Sequence, residues 1–298
     1  MAVAASPALV HGLSGNGAAA QVSSAPLAAE LTFLGTGTSM GVPTLGCPCA
    51  VCHSADERNN RLRSSIALRF ANRAVLIDTG PDFRTQALRA GVHEIDAVLY
   101  THGHADHVLG FDDLRPLTLS KPGRLPLYAD DPTADTIERI FDYTFTKRDR
   151  YPTSARVDLH RLSSEPGTTL SLFGACFERI PVIHGRNTIA GYRFGRAAYL
   201  TDMSDLPQAS FERLRGLDIV ILDALRREPH PSHSHLDNSI AIAARIGAKQ
   251  TYFTHISHDL DHGPTEADLP HGVHLAYDGL RLNFDIADGV SNACVEAA

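Results

Sequence analysis

The most constraining stretch of this 298-residue chain is His102-Gly103-His104-Ala105-Asp106-His107, which follows the apolar run at 96–100. A short apolar run without alternation reads as a strand buried on both faces. The strand therefore delivers three imidazoles and a carboxylate to its end, donors that suit zinc and similar divalent ions. Four donors within six residues exceed what one tetrahedral ion with an open position takes. In a segment that is extended and then turns helical, His102 and His104 point one way and Asp106 and His107 another. That layout serves two adjacent ions. The bland alternative is a polar surface turn, and the density of donors behind a buried strand argues against it.

Three further positions repeat the pattern of a polar group just past an apolar run: His184 after 179–183, Asp202 after 198–201, and His255 after 251–254. Each alone reads as an ordinary loop residue. Taken with the histidine run, they read as strand ends converging on one sheet edge. Asp78, in Leu76-Ile77-Asp78-Thr79-Gly80, ends another such run.

Strand patterns occur at 31–34, 65–70, 74–78, 96–100, 168–173, 176–183, 191–194, 197–201, 219–222, 250–254 and 280–286. The second and third look like a hairpin around Ala71-Asn72-Arg73. Helical patterns occur at 83–90, 134–141, 211–214 and 236–246, the last with Ile240, Ala243, Ala244 and Gly247 on one stripe. Two β-rich halves, each with helices and without a linker, predict one α/β domain over 31–288, two packed sheets with helices outside. Residues 1–30 carry one charged side chain, Glu30, and read as a disordered Ala/Ser/Gly-rich tail, with a second tail at 289–298.

No apolar run approaches the ~18 residues of a membrane span. The chain has 27 Lys and Arg against 34 Asp and Glu, a net charge of −7, which disfavours nucleic acid as a partner. Arg58, Arg61, Arg63 and Arg84 read as a solvated basic face ahead of a phosphate-contacting set. Cys47, Cys49 and Cys52 fall within six residues, whereas Cys176 and Cys294 are isolated. A disulfide framework spreads its cysteines, so the trio reads as a metal clip in a reducing compartment, and the expected location is cytoplasmic. Such a clip needs a fourth ligand.

In order, Asp78, the His-x-His-x-Asp-His run, His184, Asp202 and His255 resemble the motifs of the metallo-β-lactamase superfamily, in its phosphodiesterase branch, over about residues 31–286. The resemblance implies an αββα sandwich with a two-metal site at the sheet edge. It implies that His102, His104 and His184 hold one ion, that Asp106, His107 and His255 hold the other, and that Asp202 bridges them. Asp78 would orient a ligand from behind.

The Cys-x-Cys-x-x-Cys clip resembles that of the phosphoribosyl 1,2-cyclic phosphate phosphodiesterase family of the carbon–phosphorus lyase pathway. There it holds a structural zinc with a histidine three residues after the last site histidine, here His258. A related insert occurs in the group linked to pyrroloquinoline quinone biosynthesis, which loosens the link from clip to substrate.

The same resemblance makes His233, 22 residues before His255, the general acid, with His235 as fallback. On the residues alone, His230 and His235 are part of a helix-entry loop in which Ser234 is a candidate cap. Gly35-Thr36-Gly37-Thr38 lacks the Lys-Ser/Thr of a phosphate loop and reads as a turn.

The implied function is hydrolysis of a small cyclic phosphodiester by a metal-bridged hydroxide, with His233 as imidazolium assisting the leaving oxygen. Zn or Mn would fill the catalytic pair, and Zn the clip. Rival expectations are a tRNA 3′-processing-type endonuclease, a thioesterase of the same fold, and a non-catalytic cofactor-handling protein. The expected partner is a small phosphodiester with no membrane, and a homodimer is expected by analogy alone.

Overall fold

The computed structural model describes residues 27–146, 151–287 and 294. The expected tail at 1–30 lies outside them except for its end, where the first strand, β1 (Ala28–Gly35), begins ahead of the expected start. β2 (Ser65–Phe70) and β3 (Arg73–Ile77) form the expected hairpin. Its turn uses Ala71 and Asn72 at φ 48° and 57°, the left-handed pair that matches the twist of a tight hairpin. Next come β4 (Ala97–Leu99), β5 (Leu125–Asp130) and β6 (Val157–Leu162), all parallel to β3.

The second half supplies β7 (Thr169–Leu172), β8 (Ala175–His184), β9 (Asn187–Phe194), β10 (Ala197–Leu200), β11 (Ile219–Asp223), β12 (Gln250–Thr254) and β13 (Val273–Leu275). β14 (Arg281–Asp285) returns to the first sheet beside β1. The two sheets have the orders β14-β1-β2-β3-β4-β5-β6 and β13-β12-β11-β10-β9-β8-β7. Each is antiparallel at one end and parallel at the other, from β3 to β6 and from β10 to β13.

Phe33, Ile66, Leu68, Val75 and Ile77 of the first sheet pack against Phe177, Tyr192, Phe194, Tyr199 and Ile221 of the second. The outer face of the second sheet packs on the helices Gln208–Arg213 and Leu236–Ile246 through Phe211, Leu236, Ile242 and Ile246. The outer face of the first packs on the helices Phe83–Ala90 and Asp131–Ile140 through Phe83, Ala87, Ala134 and Ile137. The layers run helix, sheet, sheet, helix, as the hydrophobic pattern implied.

Four expectations are corrected. The buried stripe of the Leu236–Ile246 helix is Leu236, Ser239, Ile242, Ala243 and Ile246, while Ala244 and Gly247 face solvent. Its Ile residues at 242 and 246, four apart, outweigh the small side chains that suggested the neighbouring face.

Arg61 is no surface residue. It is 2% exposed and donates to Thr36 Oγ1 at 2.8 Å, the Ala276 carbonyl at 2.6 Å and His262 Nδ1 at 3.0 Å. Burial pulls its pKa down to about 10, still charged at neutral pH. Arg58 and Arg63 are likewise paired, with Asp56 and Asp82.

Cys176 and Cys294 are not isolated: a disulfide joins them across 118 residues. The sequence separation hid a pairing that only the fold brings together. Apart from Cys294, the described C-terminal residues end at Ala287. β5, β6, β13 and the helix His262–Asp268 are elements the patterning did not show.

Candidate metal centre

The parallel strands bring their C-terminal ends to one edge, where open α/β sheets place their ligands. Asp78 follows β3, His102 follows β4, His184 ends β8, Asp202 follows β10, Asp223 ends β11 and His255 follows β12. Asp78, Asp202 and His255 adopt φ of 66°, 57° and 57°. That left-handed conformation costs a residue with a Cβ roughly 1–2 kcal/mol, and such strain concentrates at functional sites. Gly80 lets the loop after β3 touch the histidine run, since a Cβ there would stand 2.1 Å from the Asp106 carbonyl oxygen.

Asp78 organises the run from behind. Its Oδ1 accepts Thr101 N–H at 2.8 Å, and its Oδ2 accepts Thr101 Oγ1–H at 2.8 Å and His107 Nδ1–H at 2.7 Å. Thr101 Oγ1, already donating, accepts from His102 Nδ1–H at 3.1 Å. His184 donates Nδ1–H to the Ser232 carbonyl at 2.8 Å. These bonds fix the tautomers and leave the Nε2 atoms of His102, His107 and His184 as bare lone pairs, the usual arrangement behind metal-binding histidines.

The bare atoms gather in two sets. His102, His104 and His184 form one, Asp106, His107, Asp202 and His255 the other, each with donor atoms within 4.8 Å of one another. In the first set, His102 Nε2 and His104 Nδ1 face each other at 3.0 Å. In the second, His107 Nε2 lies 3.3 Å from Asp106 Oδ2 and 3.1 Å from Asp202 Oδ2, and His255 Nε2 lies 3.2 Å from Asp202 Oδ1. Asp202 Oδ1 is also 3.9 Å from His102 Nε2, so this carboxylate stands between the sets. Despite these distances, His107 Nε2 and both ring nitrogens of His255 are buried without an aligned hydrogen-bond partner. Orphaned buried nitrogens are rare unless something else satisfies them. Lone pairs converging with carboxylate oxygens fit divalent cations.

The two sets differ in charge. Burial, then the neighbouring His107, pulls His102 well below the usual imidazole range, and burial lowers His104 and His184 as well. In the other set burial is outweighed. Asp202 and Asp106 lift His255 to about 9, and with Asp78 they hold His107 well above its ordinary value. Burial would push Asp202 up, but His255 and His107 keep it well below the carboxylate range. The positive charge that this set of acids attracts is the charge a bound cation supplies.

His233 stacks on His255, with ring centroids 4.5 Å apart at 9°, and lies 4.8 Å from the His184 ring. His235 stands at the N-cap of the Leu236–Ile246 helix with no capping bond from its side chain, outside the clusters. Burial, then His255, pulls His233 down to about 4.

Its Nδ1–H donates to Asp223 Oδ2 at 2.7 Å, which leaves Nε2 free. Asp223 is a residue of this cluster that the sequence reading missed. It follows the apolar run 219–222 in the same pattern that singled out Asp202, and that signal was available.

Cys47, Cys49, Cys52 and His258 form a separate cluster. Cys47 Sγ and Cys49 Sγ lie 3.2 Å and 3.3 Å from His258 Nδ1. The Cys52 N–H, then His258, lowers the Cys49 thiol to about 6, whereas burial pushes Cys52 up to about 11. The cluster is tied to the centre through chain pairing, because Ile256 exchanges hydrogen bonds with Thr36 and Thr38 at 2.9 Å and 3.1 Å. The Gly35-Thr36-Gly37-Thr38 turn thus links the sheets beside His255. A Cβ on Gly37 would stand 2.7 Å from the Arg61 carbonyl oxygen, so that crossing requires glycine.

Residues 73–256 match the beta-lactamase superfamily domain family. The crystal structure of a new diphosphatase from the PhnP family is 55% identical with a TM-score of 0.81, covering 87% of this chain and 98% of that one. Zn(2+)-bound PqqB from Methylobacterium extorquens shares the fold at 21% identity and a TM-score of 0.66, covering 85% of this chain and 99% of that one.

A Porphyromonas gingivalis protein named octanoyltransferase is 38% identical over 259 residues, which is 85% of this chain and 51% of that protein. The chain thus spans about half the length of the curated relatives it matches. In that case the printed name is that of a protein about twice as long. Sequence family, sheet order and likeness to a solved structure agree: the chain belongs to the metallo-β-lactamase superfamily, within its PhnP family.

Proposed function

We propose that the chain hydrolyses a small phosphodiester, of the phosphoribosyl 1,2-cyclic phosphate or 2′,3′-cyclic nucleotide type. In this reading His102, His104 and His184 would hold one Zn or Mn, Asp106, His107 and His255 would hold a second, and Asp202 would serve both. Cys47, Cys49, Cys52 and His258 hold a structural Zn. The observation that carries the reading is the set of buried, unpartnered imidazole nitrogens facing shared carboxylate oxygens, with the Asp223–His233 pair beside them.

Bound divalent ions supply a water of pKa near ~7 and neutralise phosphoryl charge. The chain does the rest. Asp78, Thr101 and the Ser232 carbonyl hold the ligand rings in one tautomer. Asp223 pairs with His233 Nδ1 and so leaves Nε2 for the substrate. An anionic phosphoryl group at Nε2 raises the His233 pKa, because opposite charge favours the protonated form. The proton then sits where a leaving oxygen needs it. The cyclic ester brings its own ring strain, so His233 acts on an alkoxide that is already a fair leaving group.

A second reading, hydrolysis of a diphosphate bond, is favoured by the 55% identical diphosphatase. Both readings use the same ions and the same His233. Acyl transfer has less support. The free thiols among the described residues all lie in the clip, and Cys176 is in a disulfide, so no thiol nucleophile stands at the histidine cluster.

The test is turnover of bis(p-nitrophenyl) phosphate, a 2′,3′-cyclic nucleotide, a nucleoside diphosphate sugar and a thioester, each with Zn or Mn. His233→Ala should cut turnover of the preferred phosphate ester roughly 10²–10⁴-fold while metal content stays at the wild-type level. Metal loss in that variant, or preferred turnover of the thioester, would overturn the reading.

A further inference from the structure

His255 is held in a left-handed backbone conformation, at φ 57°. A residue with a Cβ keeps that conformation only where its surroundings over-determine it. On one side of it, β12 pairs with β11 as far as Thr254, and the Ala224 N–H donates to the Thr254 carbonyl at 3.0 Å. On the other side stands Ile256, fully buried. Its N–H donates to the Thr36 carbonyl at 2.9 Å, and its carbonyl accepts the Thr38 N–H at 3.1 Å. His255 thus bridges the sheet and the turn, and the direction of its ring depends on what fixes the turn.

Thr36 is the fixed point. Its N–H and its Oγ1–H both donate to Asp278 Oδ1, each at 2.8 Å. Its Oγ1 in turn accepts from Arg61 Nη1 at 2.8 Å. Asp278 Oδ2 accepts the Leu62 N–H at 2.8 Å and a donor from Arg89 at 3.0 Å. Thr36 is fully buried, and the Asp278 side chain is 3% exposed. A buried polar network whose members are satisfied rigidifies its surroundings and specifies one arrangement. The candidate metal clusters include none of these groups, and the chemistry proposed above uses none of them.

We propose that Thr36 and Asp278 are positioning residues for His255: their hydrogen bonds lock the turn, the turn locks Ile256, and Ile256 keeps His255 Nε2 beside Asp202 Oδ1. That nitrogen lies 3.2 Å from the carboxylate oxygen. The proposal rests on the paired-metal reading above. The other set of ligands hangs on different elements, since His102 and His104 follow β4 and His184 ends β8. Loosening the turn should therefore weaken one ion and spare the other.

Thr36→Val removes the hydroxyl at nearly constant volume, and Thr36→Ser returns it. Protein with zinc in the clip is titrated calorimetrically with Mn(II), an ion that carboxylate-bearing sites accept and thiolates disfavour. The wild type should take two ions. In Thr36→Val one of them should bind roughly tenfold to a hundredfold more weakly while the other keeps its affinity, the usual effect of removing a group that orients a ligand. Thr36→Ser should recover most of the loss, with unfolding midpoints confirming that both variants fold.

Unchanged affinities in Thr36→Val, equal weakening of both ions, or no recovery in Thr36→Ser overturns the positioning role and leaves the paired-metal reading intact. If the wild type takes neither Mn nor Zn at the histidine centre, that reading fails, and amide hydrogen exchange on the metal-free protein decides the positioning role. The Ile256 and Thr38 amides should then exchange roughly tenfold faster in Thr36→Val than in the wild type, and return toward the wild-type rate in Thr36→Ser. Equal exchange in wild type and Thr36→Val overturns the proposal.

Discussion

Asp78→Asn is the sharpest perturbation of the centre because it changes one proton's place and almost no volume. Asp78 is fully buried and accepts three hydrogen bonds, two from Thr101 and one from His107 Nδ1–H. An asparagine has one acceptor oxygen and one donor NH₂. If the oxygen stays with Thr101 N–H, the NH₂ faces Thr101 Oγ1 and His107 Nδ1. His107 must then accept at Nδ1 and carry its proton on Nε2, the atom that points at Asp106 and Asp202. A protonated Nε2 binds no cation.

If the amide flips, the Thr101 N–H loses its partner in a buried place, which costs about 1–3 kcal/mol. Either outcome weakens the second set of ligands. Loss of a group that orients a ligand typically costs tenfold to a hundredfold in metal affinity, about 1.4–2.7 kcal/mol. Competition with a chromophoric chelator reads that affinity directly, and thiol-blocked protein separates it from the clip. The His102, His104 and His184 set should keep most of its affinity, so only one of the catalytic ions should weaken strongly. Equal affinity for both ions in Asp78→Asn and wild type would refute the tautomer argument.

Other perturbations have equally definite outcomes. Cys49→Ser should remove about one zinc per chain and leave the histidine centre loaded, as elemental analysis would show, since the clip is a separate cluster. Arg61→Ala should lower unfolding free energy by about 3–5 kcal/mol in denaturant titration. It strips the donors from buried acceptors on Thr36, Ala276 and His262 and opens a cavity between the clip segment and the sheet. Alkylation of metal-stripped protein without reductant should label Cys47, Cys49 and Cys52, and Cys176 and Cys294 only after reduction.

Much of the centre was legible because its residues sit where sequence patterns are strongest. A polar side chain directly after a buried apolar run marks a strand end, and that rule located His184, Asp202 and His255, while the family resemblance added Asp78. The rule would have located Asp223 had it been applied to 219–222.

Elements with weak patterns were missed for physical reasons. β5 contains Pro126, and β6, Val157-Asp158-Leu159-His160-Arg161-Leu162, is an edge strand with polar residues turned outward. Arg61 was invisible as an individual. It is buried only because of what the tertiary fold sets around it. The surroundings of His233 were hidden for a related cause: burial, then His255, lowers its pKa, and His255 is 22 residues away in sequence yet stacked against it in space.

The measurement that tests the account most directly is the number of metal ions per chain in protein purified without chelator, read by elemental analysis. Two ions at the paired clusters and one at the clip predict about three equivalents, falling to about two in Cys49→Ser. A value near one in the wild type would contradict the paired centre on which the proposed chemistry depends.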